Sequence, residues 1–190
     1  MKKLIFLMVA CLIISIPDLG VCQPWTYNLN ARFGIKDLNK NDWKPVDSQI
    51  EYGITLDFRQ KTWPVNIALD ILHSTDDGVY DANNTVEGKT LEMDLGVRKI
   101  WALKTFRPFI GGGAALISAK YKASNKSSIT KEDDDTSIGI WINGGLYWTI
   151  KRFNIGFDLR WSKADVTFSE FNVKADAGGL HYGLITGIHF

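Results

Sequence analysis

The sequence predicts an all-β protein, an eight-stranded antiparallel up-and-down transmembrane β-barrel. Three observations lead to this prediction. Apolar and polar residues alternate with a period of two in eight segments, which is typical of strands and not of helices. Short and long connections alternate between the segments, as in a barrel with tight turns at one rim and long loops at the other. The aromatic residues gather near the two ends of the segments, where rings meet the two surfaces of a bilayer.

The amino terminus has the layout of a targeting segment. Lys2 and Lys3 precede an apolar run over residues 4–16, which is too short to cross a membrane as a helix. We therefore predict a cleaved secretory signal peptide over residues 1–22 and one mature domain, the barrel, over residues 23–190.

Both cysteines, Cys11 and Cys22, fall within the predicted signal peptide. The mature domain is therefore expected to have no disulfide and no thiol chemistry. A lipoprotein box is the alternative interpretation of "LGVC", with Cys22 acylated, although Val21 stands where Gly, Ala or Ser is expected.

The first half of the chain contains four alternating segments. In each of them every second residue is large and apolar, while the residues between are small, polar or charged. The segments are WTYNLNARFGI (25–35), QIEYGITLDFR (49–59), VNIALDILHS (65–74) and TLEMDLGVRKIW (90–101).

The second half continues the pattern with four more segments. Pro64 and Pro108 fall where strands begin, a position at which a sheet tolerates a missing N–H donor. The fifth segment is rich in glycine, and its pattern does not show which face points outward. The segments are RPFIGGGAALISAKY (107–121), SIGIWINGGLYW (137–148), FNIGFDLRWS (153–162) and GGLHYGLITGIHF (178–190).

Four connections are long and polar, and we predict them as loops at one rim of the barrel. The acidic run 133–135 within one of them is expected to be solvated, and no site is assigned to it. The long connections are 36–48, 74–89, 122–136 and 163–177, and the short ones lie near QKTWP, ALKTFRP and TIKR.

The polar face of the segments carries opposite charges at mid-strand and many glycines, whereas the apolar face is large and almost uncharged. Small residues suit the interior of a narrow barrel, so the polar face is predicted to line the lumen. A soluble lipocalin-like barrel, the alternative, predicts a charged outer face. With Lys120 counted, the lumen has five basic and six acidic residues. The predicted lumen charge network is Arg32, Glu51, Asp57, Arg59, Asp70, Glu92, Asp94, Arg98, Asp158 and Arg160.

Two aromatic belts accompany this outer face, as expected at the two membrane–water interfaces. The belt at the short-turn end is Trp25, Tyr27, Phe58, Trp63, Trp101, Trp148, Phe153 and Phe190. The belt at the long-loop end is Phe33, Tyr52, Tyr121, Trp161 and Tyr182.

The last segment, with Tyr182, Ile188 and a terminal Phe190, resembles the signal by which Gram-negative outer-membrane barrels are recognised by their assembly machinery. Together with RPFIGGGAAL and FDLRWSKAD, it makes the chain similar to the small barrels that include the OmpA membrane domain and OmpX, and more distantly to OmpW-like barrels. The resemblance covers the mature chain. It implies location in the bacterial outer membrane, with the long loops extracellular and the short turns periplasmic.

The resemblance also implies the partners: outer-membrane lipid and lipopolysaccharide, and the barrel assembly machinery and periplasmic chaperones during biogenesis. The chain has 22 basic and 21 acidic residues, so nucleic-acid binding is not expected. No cofactor and no metal site is predicted. His181 and His189 are too far apart along one strand to share a metal.

We predict no enzymatic activity. His73 and Ser74 invite comparison with barrel enzymes that deacylate lipid A, but adjacent residues on a strand point to opposite faces, so the pair does not fit without a bulge. A lipid-modifying enzyme is the third class of function considered.

The predicted function is that of a structural or surface-interaction protein whose lumen is sealed by charged residues. The alternative is a small channel for hydrophobic solutes, with Trp141 and Tyr147 lining an apolar pocket in the lumen. Large rings that fill the lumen opposite its glycines explain the same two residues.

Overall fold

The computed structural model describes residues 25–81, 84–125 and 130–190; the predicted signal peptide, its cleavage site and Cys22 lie outside the described residues. Within them no helix is long and apolar enough to cross a membrane. The described elements are β1 (Trp25–Asp37), α1 (Lys40–Trp43), β2 (Ser48–Gln60), β3 (Asn66–Val79), β4 (Asn84–Ile100), β5 (Phe106–Asn125), β6 (Thr130–Ile150), β7 (Phe153–Lys163), β8 (Asp165–Phe168), β9 (Val173–Asp176) and β10 (Gly179–His189).

Eight of these strands close into one antiparallel barrel in the order β1-β10-β7-β6-β5-β4-β3-β2, while β8 and β9 form a separate hairpin. The barrel closes between β1 and β10, where Ala31 is paired with Thr186. Beyond the end of that ladder, Tyr27 and Phe190 exchange two backbone hydrogen bonds of 3.1 and 2.9 Å. The predicted fold class is confirmed, and each predicted segment overlaps one barrel strand.

The outward face of the barrel is apolar on every strand. Exposed aliphatic and aromatic side chains around a whole circumference fit lipid and not water. The lipocalin-like alternative therefore does not describe this barrel. One outward side chain from each strand, at least 50 % exposed, illustrates the surface: Phe33, Ile54, Ile71, Leu95, Ile110, Ile142, Phe157 and Leu184.

The aromatic belts are present on this outer face, with Trp101, Trp148 and Phe153 exposed at the short-turn end. Tyr121 is an exception to the prediction. Its ring points inward and packs edge-on against Phe171, 5.4 Å between centroids. The physical reason is that the glycine-rich pattern of β5 does not distinguish its inward face from its outward face.

Glycines on the inward face allow neighbouring strands to approach closely. Gly96 of β4 lies directly opposite Gly113 of β5. A Cβ atom at Gly96 would overlap the backbone of Gly112 and Gly113, and one at Gly113 would overlap the backbone of Leu95. These positions therefore exclude a side chain because of the strand backbone, and not only because the lumen is narrow.

The prediction of four long loops is wrong for two of the connections. Residues 74–79, 84–89, 122–125 and 130–136 of these connections are strand, because the ladders between β3, β4, β5 and β6 continue past the barrel rim. The last pair between β6 and β7 is at Ile140, and β6 extends ten residues beyond it, to Thr130. At about 3.3 Å per residue, this end of β6 is roughly 30 Å long. The extended parts of β3, β4, β5 and β6 are here called the projecting sheet.

The other two long connections fold over the long-loop end of the lumen. Residues 36–48 contain α1, whose N-cap Asn39 accepts a hydrogen bond from the Asn41 N–H at 3.0 Å. Residues 163–177 form the β8–β9 hairpin. Their buried apolar side chains meet those of β4 and β5 in one cluster, here called the apolar cap. It comprises Leu38, Trp43, Val46, Val86, Ile117, Val166 and Phe168.

Candidate functional site in the barrel lumen

The centre of the lumen is a network of buried ion pairs around Asp70. Arg98 donates to Asp70 and to Asp57, each at 2.6 Å. Arg160 pairs with the same Asp70 carboxylate and with Asp94. All five side chains are at most 3 % exposed. Asp70 therefore joins two guanidinium groups that come from β4 and β7.

Arg32 extends the network to the other side of the barrel. Its Nε donates to Asp158 at 2.9 Å, and its Nη1 pairs with Glu51. Asn143 of β6 also donates to Asp158, at 3.0 Å. Since Arg160 lies 3.8 Å from Asp158, the two groups of ion pairs are continuous across the lumen.

Aromatic rings occupy the space beside these charges. The guanidinium groups of Arg98 and Arg160 lie 5.5 and 4.9 Å from the centroid of the Trp141 ring, within cation–π range. Tyr147 stacks on Phe109 at 4.5 Å between centroids. Trp141 and Tyr147 are each 1 % exposed, so both rings point into the lumen and are packed against its contents.

Lys36 is a further member of the network and is not in the predicted set. It lies on β1 with its side chain fully buried, and its Nζ donates to Glu92 at 3.0 Å and to Thr90 at 3.1 Å. The pattern of the sequence predicts residues 36–48 as a loop, whereas Lys36 belongs to β1. The alternation of β1, continued by two residues, indicates an inward Lys36, because Arg32, Gly34 and Lys36 lie on the same face of a strand.

Two residues of the predicted lumen charge do not belong to the network. Arg59 lies at the short-turn mouth, is partly exposed, and hydrogen-bonds the Trp63 carbonyl at 3.5 Å. Lys120 points outward from β5 and pairs with Glu132 at 2.6 Å, and the hydrogen bond from Lys120 lowers the pKa of Glu132. The described network therefore has four basic residues against six acidic ones.

A hydrogen-bonded Ser–His–Glu series lies between the network and the apolar cap. His181 Nδ1 is 2.6 Å from Glu51 Oε2, and its Nε2 is 3.0 Å from Ser162 Oγ. This order matches that of a nucleophilic triad. However, Ser162 Oγ also donates to Glu92 at 3.0 Å, and a carboxylate there competes for the hydroxyl proton and opposes an oxyanion.

The predicted contrast between His73 and Ser74 is seen in the structure. His73 lies on the outer face against the Tyr52 ring, 5.3 Å between centroids. Ser74 is buried in the lumen and bonds Gln49 at 2.5 Å and Thr90 at 2.7 Å. The two side chains are on opposite sides of the barrel wall and do not form a catalytic pair.

The short-turn end of the lumen is filled by amides. Asn154 donates to Asn28 at 3.2 Å and to Asn30 at 3.1 Å, and Thr149 donates to Asn154 at 2.8 Å. His189 lies 2.9 Å from Asn28. Within the described ranges, no group of three or more His, Cys, Asp or Glu side chains is arranged to hold a metal ion.

The acidic run 133–135 holds the β8–β9 hairpin against the projecting sheet. Asp135 accepts the backbone N–H of Thr167 at 2.7 Å, and Asp133 accepts that of Glu170 at 2.7 Å. The hairpin is also tied to α1, because Trp43 Nε1 donates to the Asp176 carbonyl at 2.8 Å. These contacts hold α1 and the β8–β9 hairpin in place over the long-loop end of the lumen.

The residues of the predicted assembly signal lie on β10 or just after it. Tyr182 and Phe190 are exposed on the outer face, and Ile188, between them in the chain, is partly exposed. All three side chains contribute to the lipid-facing surface.

Comparison with solved structures identifies the fold. Ail, the attachment invasion locus protein of Yersinia pestis, solved with the heparin analogue sucrose octasulfate, is similar with a TM-score of 0.63 at 12 % identity, over 88 % of this chain and 100 % of that chain. A major outer membrane protein from Thermus thermophilus gives 0.60 at 8 % identity, over 88 % and 100 %. Neisserial surface protein A gives 0.52 at 12 % identity, over 88 % and 96 %.

No protein-family model matches the sequence, and no curated protein matches it. The fold is that of a small, integral outer-membrane β-barrel. The predicted resemblance to this class of barrels is confirmed at the level of fold.

Proposed function

We propose that the chain is an integral protein of the bacterial outer membrane that serves as a structural or surface-interaction protein with a sealed lumen. The proposed orientation has the short turns in the periplasm and the projecting sheet outside the cell. The observation that supports the sealed lumen best is the continuous network of ion pairs from Arg32 to Asp57.

Passage of a solute would require these pairs to separate. Removing one partner of a buried ion pair leaves an uncompensated charge, at a cost of about 3–5 kcal/mol. The amides around Asn154 and the apolar cap lie beyond the network at either end. Three successive layers of packed side chains therefore stand in the path of an ion.

The projecting sheet supports a role at the cell surface. Its strands β5 and β6 extend roughly 30 Å beyond the level of the last β6–β7 pair and carry exposed polar side chains, which a structural role within the membrane does not need. Ail, a protein of similar fold, is an attachment protein solved with a heparin analogue. Attachment to surface polysaccharides is therefore the first interaction to test.

A channel for hydrophobic solutes is the second candidate. The buried apolar cluster of the cap continues inward through Ile117 to Trp141, so one side of the upper lumen is apolar, while Lys36, Glu92 and His181 are buried on the other. This path meets Arg98 and Arg160 below Trp141. We propose no catalytic role for the Ser162 hydroxyl, because Glu92 competes for its proton and the side chain is fully buried.

The test is the conductance of the refolded mature protein in a planar bilayer. We expect no single-channel steps from the protein or from Trp141→Ala, because the ion pairs close the lumen below that ring. Reproducible steps from the unmodified protein would show that the lumen is open. Uptake of an apolar fluorophore into vesicles that depends on Trp141 would favour the second candidate.

A further inference from the structure

The short-turn rim of the barrel has an unusual distribution of charge. The segments 59–65, 99–107 and 149–154 contain seven basic residues and no Asp or Glu. In the described ranges, every acidic side chain outside the lumen network lies at the opposite end. The seven residues, here called the basic rim, are Arg59, Lys61, Lys99, Lys104, Arg107, Lys151 and Arg152.

Four of the seven cations of the basic rim are available to a partner, while Arg59 and Lys99 donate to the carbonyls of Trp63 and Pro64. Lys61, Lys104, Lys151 and Arg152 are exposed. None of the ion pairs between described residues involves a member of the rim. The protein itself therefore supplies no carboxylate side chain to neutralise this end of the barrel.

The backbone of two turns adds a second observation. Lys104 and Lys151 have φ angles of 58° and 56°, in the left-handed region. Glycine suits this conformation at no steric cost, whereas other residues are uncommon there. Both turns nevertheless carry a lysine at this position, which places an ammonium group at the tip.

The rim cations stand beside the lipid-facing aromatic belt. Phe106 and Phe153 are exposed on the outer face. Arg107 directly follows Phe106, and Arg152 directly precedes Phe153. Aromatic belts mark the level of the lipid headgroups, and long basic side chains reach that level from nearby. The three turns join β2 to β3, β4 to β5 and β6 to β7, so they are spread around the rim. Cations spread around the rim in this way contact the surrounding lipid leaflet, and they do not converge on one site for a soluble ligand.

We propose that the basic rim binds the headgroups of acidic phospholipids in the leaflet at the short-turn end. This inference rests on the proposed membrane placement. The attraction is between the phosphate anions and an uncompensated ring of ammonium and guanidinium groups, and it weakens with salt over a Debye length of about 10 Å at 0.1 M.

Native mass spectrometry of the folded barrel in detergent tests the proposal, with phosphatidylglycerol and phosphatidylethanolamine as probes. The rim variant replaces Lys61, Lys104, Lys151 and Arg152 with Gln. The control variant replaces four exposed lysines at the other end and changes the net charge equally: Lys40, Lys44, Lys163 and Lys174.

The unmodified barrel and the control variant are expected to bind phosphatidylglycerol in preference to phosphatidylethanolamine. The rim variant should lose this preference by roughly tenfold or more, because each basic group near an anionic surface contributes to the attraction. Equal preference in the two variants, or none in the unmodified barrel, would overturn the proposal.

Two further measurements separate this result from the proposed function. Heat-dependent gel mobility shows whether each variant is folded, and conductance shows whether its lumen is sealed. A folded and silent rim variant that still prefers phosphatidylglycerol would refute the basic rim and leave the sealed lumen standing. If the unmodified barrel conducts, and only the rim variant loses the preference for phosphatidylglycerol, the sealed lumen is refuted and the basic rim is supported.

Discussion

Replacement of Arg98 by alanine is expected to lower the free energy of unfolding by about 3–5 kcal/mol, the range for removing one partner of a buried ion pair. Arg98 is fully buried and donates to Asp57 and Asp70 at 2.6 Å. Without it, Asp70 retains Arg160, whereas Asp57 retains the Tyr147 hydroxyl at 3.4 Å among its described contacts. Most of the loss is therefore expected from the carboxylate of Asp57.

The same substitution removes a cation from two ring faces. The Arg98 guanidinium lies 5.6 Å from the Phe109 centroid and 5.5 Å from that of Trp141. Desolvated cation–π contacts contribute up to about 2 kcal/mol each. These contacts favour the upper part of the expected range.

The assay is equilibrium unfolding in urea of the barrel refolded into lipid vesicles, followed by tryptophan emission and by heat-dependent gel mobility. Arg59→Ala is the matched control, since Arg59 is also on the inward face but has no described carboxylate partner. It should change the stability by less than about 0.5 kcal/mol. The double variant Arg98→Ala/Asp57→Asn should recover part of the loss, because it removes the uncompensated charge.

If Arg98→Ala is as stable as Arg59→Ala to within about 0.5 kcal/mol, the buried ion pairs do not hold the barrel together. The network would then be incidental to the fold, and the reasoning for a lumen sealed by paired charges would be refuted.

Three more substitutions test other parts of the structure. Gly96→Ala should lower the yield of folded barrel on refolding, because the added Cβ overlaps the backbone of the neighbouring strand. A yield equal to that of the unmodified protein in the gel-mobility assay would contradict the close approach of β4 and β5. Lys36→Met should lower the free energy of unfolding in urea by about 3 kcal/mol or more, because Glu92 loses its buried ammonium partner. Lys120→Met is the control and should be nearly neutral, because the ion pair between Lys120 and Glu132 is exposed. Trp43→Ala should lower the free energy of unfolding by about 3–5 kcal/mol, because the apolar cap loses a buried ring, and should make residues 163–177 accessible to protease. Unchanged proteolysis of these residues would show that the cap does not hold the hairpin.

Much of the lumen could be predicted because a strand has a period of two. Once Ile50, Tyr52 and Ile54 were placed outside, Glu51 had to point inward, and the same step placed Arg32, Asp70 and Arg160. Which carboxylate each guanidinium meets could not be predicted in this way. Arg98 reaches Asp57 across two ladders, and its partner depends on the stagger of the strands.

The long connections were harder to interpret because strands rich in polar residues, outside the apolar alternation of the lipid-facing barrel, look like loops in the sequence. Residues 122–136 show no apolar alternation, yet residues 122–124 pair with residues 130–132 at the end of the ladder between β5 and β6. Lys36 and Trp43 were overlooked for a related reason, since each lies in a polar stretch and is buried by segments distant in the chain.

The sequence by itself determined the number of barrel strands and, for every barrel strand except the glycine-rich β5, its two faces and the medium each face meets, because these follow from alternation between neighbouring residues. The tertiary structure decided the ion-pair partners, the apolar cap and the Ser162–His181–Glu51 series. Each of these requires residues from strands or loops far apart in the chain, brought to one level of the lumen by the closure and shear of the barrel, and no local pattern carries that register.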